Sequence, residues 1–143
     1  MIHSIEYWKK LLAPQSQGGY LGAPFEWGAR GPNTFDCWGL VLAIREKLNL
    51  ETPDEWAQID NDFSYVTKTM MVEIQTSNWK QLSDPQHGCI TMLSKNKAYH
   101  HAGIYTPWGI FHTSKGFGAV IQELSTIKRN GYNLIHFYEY IGA

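Results

Sequence analysis

Hydrophobic positions recur at helical spacing in the first half of the chain and closer to every second residue in the last third. Ile5, Trp8, Leu11 and Leu12 recur at intervals of three and four, which predicts a short helix within 1–12. Pro14 and the pair Gly18-Gly19 end it. Residues 22–33 are dense in Gly, Pro and Asn and predict an irregular loop anchored by Phe25 and Trp27. Leu40, Val41, Ile44 and Leu48 then form the stripe of a buried helix. Asp36 stands as its N-cap or first-turn acid, and Arg45 and Lys47 lie near its C-terminal end, where cations suit the helix dipole. A further helix is predicted over 62–76, with Phe63, Val66, Met70 and Ile74 on one side. After Pro85 the period falls towards two. Runs at 89–93, 101–105, 110–113, 119–122 and 134–140 predict about five strands, separated by Lys/Asn, Pro/Gly and Ser/Gly turns. Helices first and antiparallel strands second make an α+β fold.

Composition narrows the class. The 143 residues suit one domain, 1–143, and 43% hydrophobic with 17% charged residues is a globular balance. Twelve basic against thirteen acidic residues give a net charge of −1, so nothing points to nucleic acid or an anionic membrane as partner. No stretch approaches the roughly 20 apolar residues of a membrane span. The first ten residues lack the basic start and apolar run of a secretory signal, so the expectation is a chain made in the cytoplasm. Two cysteines exclude a disulfide scaffold and a four-cysteine zinc module. Cys89 sits in a β run and reads as core. Adjacent histidines point apart on a strand, and no carboxylate or cysteine stands at ligand spacing beside His100, His101 and His112. No metal or cofactor is expected.

Candidate chemistry centres on Cys37, at the first turn of the helix that follows the Gly/Pro loop. Unpaired N–H groups and the positive dipole end favour a thiolate there, and the same N–H groups suit an oxyanion hole. Gly39 bares the backbone for close approach of the sheet or a substrate. The alternative for Cys37 is one more small buried apolar residue. A thiol nucleophile needs a base. The segment 101–112 predicts a hairpin turning at Pro107-Trp108, with residue 105 opposite 110 and 103 opposite 112. His101 and His112 then share a face as diagonal neighbours, Gly103 leaves space between them, and His100 points to the other face. In that register His101 serves as base and His112 orients it. Taken singly, each histidine also reads as an ordinary sheet residue. His3, His87 and His136 show no partners. Trp27, Trp38 and Trp108 read as cleft or core, and Lys95, Lys97, Lys128 and Arg129 as solvated turn charges.

These residues resemble the NlpC family of papain-like cell-wall cysteine peptidases. Phe35-Asp36-Cys37-Trp38-Gly39-Leu40-Val41 is similar to its nucleophile motif and 22–28 to its lead-in loop. Asp84-Pro85-Gln86-His87-Gly88-Cys89 resembles the turn into its first core strand, His101-Ala102-Gly103-Ile104-Tyr105 its histidine strand, and Phe111-His112 the strand of its third polar residue. The resemblance implies a papain-like core and hydrolysis of peptidoglycan stem peptides, typically between D-γ-glutamate and a diamino acid. It places the nucleophile on Cys37, the base on His101 and the orienting residue on His112. Phe25, Trp27, Asp36 and Trp38 are the candidate substrate-binding residues. Two departures stand out: Trp38 replaces the usual serine, and Phe25 stands where many members have tyrosine. With Gly31-Pro32-Asn33, Trp38 looks most like the small members associated with phage tails. That implies a catalyst carried to the wall by a virion tail or another delivery machine, with other tail proteins as partners. The rival readings are a non-catalytic structural component, an acyltransferase with a long apolar cleft, and an antibacterial effector.

Overall fold

The computed structural model describes residues 3–53, 63–95 and 98–142, the side chains of 63–67 excepted. Ser4 starts the first helix, its hydroxyl oxygen accepting the Tyr7 N–H at 3.1 Å, and α1 runs Ile5–Leu11. Trp8, Leu11 and Leu12 are buried, while Ile5 is exposed, because two turns present one narrow face to the core. His3 and Tyr7 of this segment stack at 4.7 Å and hold the far end of the next helix. His3 Nε2 bonds the Leu48 carbonyl at 2.9 Å and the Tyr7 hydroxyl donates to the Lys47 carbonyl, satisfying carbonyls that a helix end leaves open. His3 therefore has a partner, contrary to expectation.

The second helix, α2, spans Cys37–Lys47 with Asp36 as N-cap. Leu40, Val41, Ile44 and Leu48 are all buried, as their spacing predicts. Arg45 is buried too, rather than set out to meet the helix dipole. Its guanidinium donates to Thr52 Oγ1, the carbonyls of Gly88 and Glu51, and the Glu139 carboxylate at 2.6–2.9 Å. A buried arginine is tolerable when its donors are met in this way, and the network ties α2 to the sheet. The third helix, α3, runs Phe63–Ile74, inside the predicted range, with Met70 and Ile74 buried. Asp62 and the Phe63 and Val66 side chains lie outside the described residues.

Six antiparallel strands follow in the order β1-β6-β2-β3-β4-β5. They are β1 Trp79–Leu82, β2 Ile90–Ser94, β3 His101–Thr106, β4 Gly109–Ser114, β5 Gly118–Gln122 and β6 Leu134–Tyr140. Five lie where the alternation places them. β1 is an addition: four residues on the sheet edge, with Lys80 and Gln81 exposed, are too few to show a period. A six-residue helix, α4 Leu124–Arg129, is likewise unpredicted, and it makes Lys128 and Arg129 helix residues. The α+β expectation holds. The sheet has two covered faces. Met92, Ala102, Ile104 and Phe111 join the main core with α2, whereas Leu93 and Ile110 form a smaller core with Ile127 of α4.

A candidate active site at the parting of two strands

Asp36 builds the platform on which Cys37 stands. Its carboxylate accepts the N–H of Gly39 at 2.6 Å and of Gly28 at 3.1 Å, and pairs with Arg30 at 2.8 Å. The cap thus fastens the lead-in loop to the start of α2. Burial pushes this carboxyl up, against the pull of those three partners. A Cβ on Gly39 would collide with the Ala29 carbonyl, so the glycine admits the lead-in loop, not sheet or substrate. The same loop is pinned to the sheet edge by Gly22 donating to the Ala119 carbonyl and Ala119 to that of Ala23, at 2.8 and 3.0 Å. At the helix end the Gly39 N–H is taken by the Asp36 side chain, the Leu40 N–H by its carbonyl, and the Trp38 N–H is turned to the Cys37 sulphur.

The hairpin takes the predicted register, Tyr105↔Ile110 and Ile104↔Phe111. Pairing stops there, one step short of Gly103 and His112. In the gap beyond, the Ala102 N–H reaches the Cys37 sulphur, which places Cys37 beside the residue that follows His101. His101 Nε2 and His112 Nδ1 lie 2.8 Å apart. Gly103 is what permits this: a Cβ there would sit 3.0 Å from the His112 Cβ. The other nitrogen of His112, Nε2, faces Gln122 Oε1 at 2.7 Å.

That chain fixes the tautomers. A carboxamide oxygen only accepts, so His112 carries its proton on Nε2 and offers Nδ1 as acceptor. His101 must then donate from Nε2, which leaves the lone pair on its Nδ1. Charges follow the same logic. Burial, then His112, His100 and Lys95, push His101 well below the ordinary histidine value, and burial lowers His112. Burial and Asp36 push the Cys37 thiol up to about 12, against the Ala102 and Trp38 amides and Arg30. The helix end does not make a resting thiolate. Both shifts disfavour the charged forms of the pair.

Cys37, His101 and His112 line one cavity of about 900 Å3. Phe25 and Trp27 stand on its wall with rings edge to face at 4.8 Å, and Phe117 lies fully out on its rim. Asp36 and Trp38 do not reach it. Both are fully buried, Asp36 as the cap and Trp38 packed edge-on against Trp79 at 6.4 Å, since neighbours on a helix point about 100° apart. Trp108 is exposed at the hairpin turn instead. Cys89 is buried and free, its thiol raised to about 11.

Residues 22–136 match the NlpC/P60 family. The chain belongs to that family. A "Probable endopeptidase p60" of Listeria grayi is 28% identical over 105 residues, covering 73% of this chain and 18% of that protein. This NlpC/P60 chain therefore spans less than a fifth of that relative's length. Among solved structures, NlpC2 from Trichomonas vaginalis superposes with TM-score 0.58 at 18% identity, over 85% of this chain and 43% of its own. A lipoprotein-like NLP/P60 protein from Staphylococcus aureus gives 0.56 at 17%, over 95% and 42%. Both share the fold.

Three residues of this NlpC/P60 site have no signal in the sequence motifs. Gln122, Tyr132 and Lys95 come to the cavity from β5, from the turn before β6 and from the end of β2. Gln122 is the most legible in retrospect: His112 pairs with Val120, so Gln122 is its diagonal neighbour on one face. His100 corrects an expectation. It precedes β3 instead of lying in it, so alternation does not apply, and it lines the same cavity as His101. Among the described residues no group of three His, Cys, Asp or Glu side chains is placed to hold a metal. His136 and His87 also find partners. His136 Nδ1 lies 2.6 Å from the Tyr99 hydroxyl, and His87 packs against Trp8 and Tyr105.

Proposed function

We propose that this domain is a cysteine peptidase of peptidoglycan stem peptides, cleaving the D-γ-glutamyl-diamino acid amide through a thioester on Cys37. The observation that carries the reading is the His101–His112 bond of 2.8 Å beside a cavity that Cys37 also lines. His101 Nδ1 takes the thiol proton as Sγ attacks the carbonyl carbon, and the Cys37 N–H at the helix end receives the developing oxyanion. Collapse breaks the C–N bond, the amine leaves with the proton from His101, and the acyl group remains on sulphur. His101 then draws a proton from water, which attacks the thioester and regenerates the thiol. His112 keeps the tautomer and stabilises the imidazolium. Phe25 and Trp27 supply an apolar wall for the peptide.

The family match over most of the chain supports a peptidase, and the p60 relative is an endopeptidase by name. Lysine, histidine and amide groups on the cavity wall favour a polar peptide over a lipid acyl chain. The raised thiol favours a second reading, a structural component that keeps the fold without turnover. Delivery by a phage tail, with tail proteins as partners, is proposed on the resemblance carried by Trp38 and Gly31-Pro32-Asn33. Digestion of purified peptidoglycan, with mass analysis of the released stem peptides, separates the readings. Wild type should release fragments ending at D-γ-glutamate and Cys37→Ala none. Equal product from both, or none from either, rejects the peptidase.

A further inference from the structure

Lys95 follows Ser94, the last residue of β2, and stands on the wall of the cavity. Lys95 is exposed, and contacts on its backbone and its head group place it. The Lys95 backbone N–H donates to His100 Nε2 at 3.1 Å, and the His100 ring stacks on Tyr132 at 5.9 Å. The Lys95 ammonium itself lies 5.0 Å from the centroid of that same Tyr132 ring. Tyr132 also stacks on His101, 5.8 Å between centroids. The ammonium is thereby held one ring away from the base. A lysine on a free stem has rotamer freedom to lose on binding, whereas an ammonium already seated over an aromatic face has lost much of it.

Among the described residues no carboxylate answers this charge. Among the described residues Lys95 makes no ion pair, and no Asp or Glu lines the cavity, although Lys115 stands on it as a second cation. In a chain with thirteen acidic and twelve basic residues, a wall whose formal charges are all positive is a local departure from the average. A concave site with fixed positive charge and no internal counter-ion draws an anion. Position decides which anion. His101 hands its proton to the departing amine, so groups adjoining His101 through Tyr132 face the residue that leaves.

We propose that Lys95 binds a carboxylate of the leaving residue, so that the site selects stem peptides whose diamino acid carries free carboxylates over those carrying carboxamides. The inference rests on the peptidase reading and names the chemical form of its substrate. A carboxylate on Lys95 would also offset one of the positive charges that depress His101. The base would then be stronger in the complex than in the free enzyme.

Calorimetric binding to Cys37→Ala protein tests this without turnover. The probes are D-γ-glutamyl-diaminopimelate with the diaminopimelate carboxylates free, and the same dipeptide with them converted to carboxamides. The free acid should bind at least about tenfold more tightly. Adding Lys95→Met, which keeps an aliphatic stem over Tyr132, should erase that ratio by weakening the acid alone, and Lys95→Arg should retain it. Equal affinities in the parent protein, a ratio that survives Lys95→Met, a ratio lost in Lys115→Met instead, or no binding of the acid at about 10 mM each overturn the proposal. Since cleavage plays no part, such a failure leaves the peptidase reading standing. That reading is tested separately, by the digestion of peptidoglycan.

Discussion

Gln122 shows how much of this site depends on which atom faces which. Its amide oxygen, 2.7 Å from His112, sets the direction of both imidazole protons and so leaves His101 Nδ1 open to accept. Gln122→Leu keeps the volume but removes the acceptor, and His112 becomes free to adopt the other tautomer. The expected outcome is a fall in kcat of about 10- to 100-fold with KM little changed, by analogy with other groups that orient a catalytic imidazole. Steady-state kinetics of folded variant and wild type on a stem peptide checks it. A KM effect alone would make Gln122 a substrate contact. The meeting of His101 and His112 is legible from sequence because a two-residue turn sets strand parity, and parity sets the face. Asp36 and Trp38 are misleading for a related reason. Adjacency to a nucleophile in sequence is not adjacency in space on a helix, where one neighbour caps and the next enters the core.

Among the elements, α2 concentrates the site's dependence on local structure. Its N-cap satisfies an orphan helix amide, seats the lead-in loop through Gly28, and neutralises Arg30. Asp36→Ala should cost about 1–2 kcal/mol, the usual loss for an N-cap, measured by urea unfolding. It should also lower activity in the protein that remains folded, because the Phe25–Trp27 wall hangs on that loop. A stability change under about 0.3 kcal/mol would contradict the role of the cap. Element boundaries are readable where amphipathic stripes are long, as in α2 and β2–β6. They are silent where the element is short. β1 buries only Trp79, and α4 is six residues whose one buried side chain is Ile127. Tyr132 and Lys95 lie just outside regular elements, so periodicity has nothing to say about them.

Over the whole molecule, the sheet carries a conventional core on its α2 face and a titratable one beside α4. His100, His101 and His112 are all lowered, with burial the largest cause in each. Unfolded, the same residues take up protons near pH 6.5; folded, they resist until the pH is lower. In that window the unfolded chain binds more protons, so stability present above pH 6.5 is lost as pH falls through the folded values. Urea midpoints should therefore drop between pH 7.5 and 5.5, and replacing His100 by Gln should flatten part of that slope. A flat profile would mean that the imidazoles take up protons in the folded protein at the same pH as in the unfolded chain.

Hydroxylamine trapping tests the covalent relay most directly. A thioester on Cys37 is attacked by this amine in competition with water, whether or not it accumulates. Wild type turning over a stem peptide in neutral hydroxylamine should yield the hydroxamate of the D-γ-glutamyl fragment, in a ratio to free acid that rises with hydroxylamine, and Cys37→Ala should yield neither. Release of the free acid alone, unchanged as hydroxylamine is raised, would mean that water attacks the amide without a thioester, and would contradict the account.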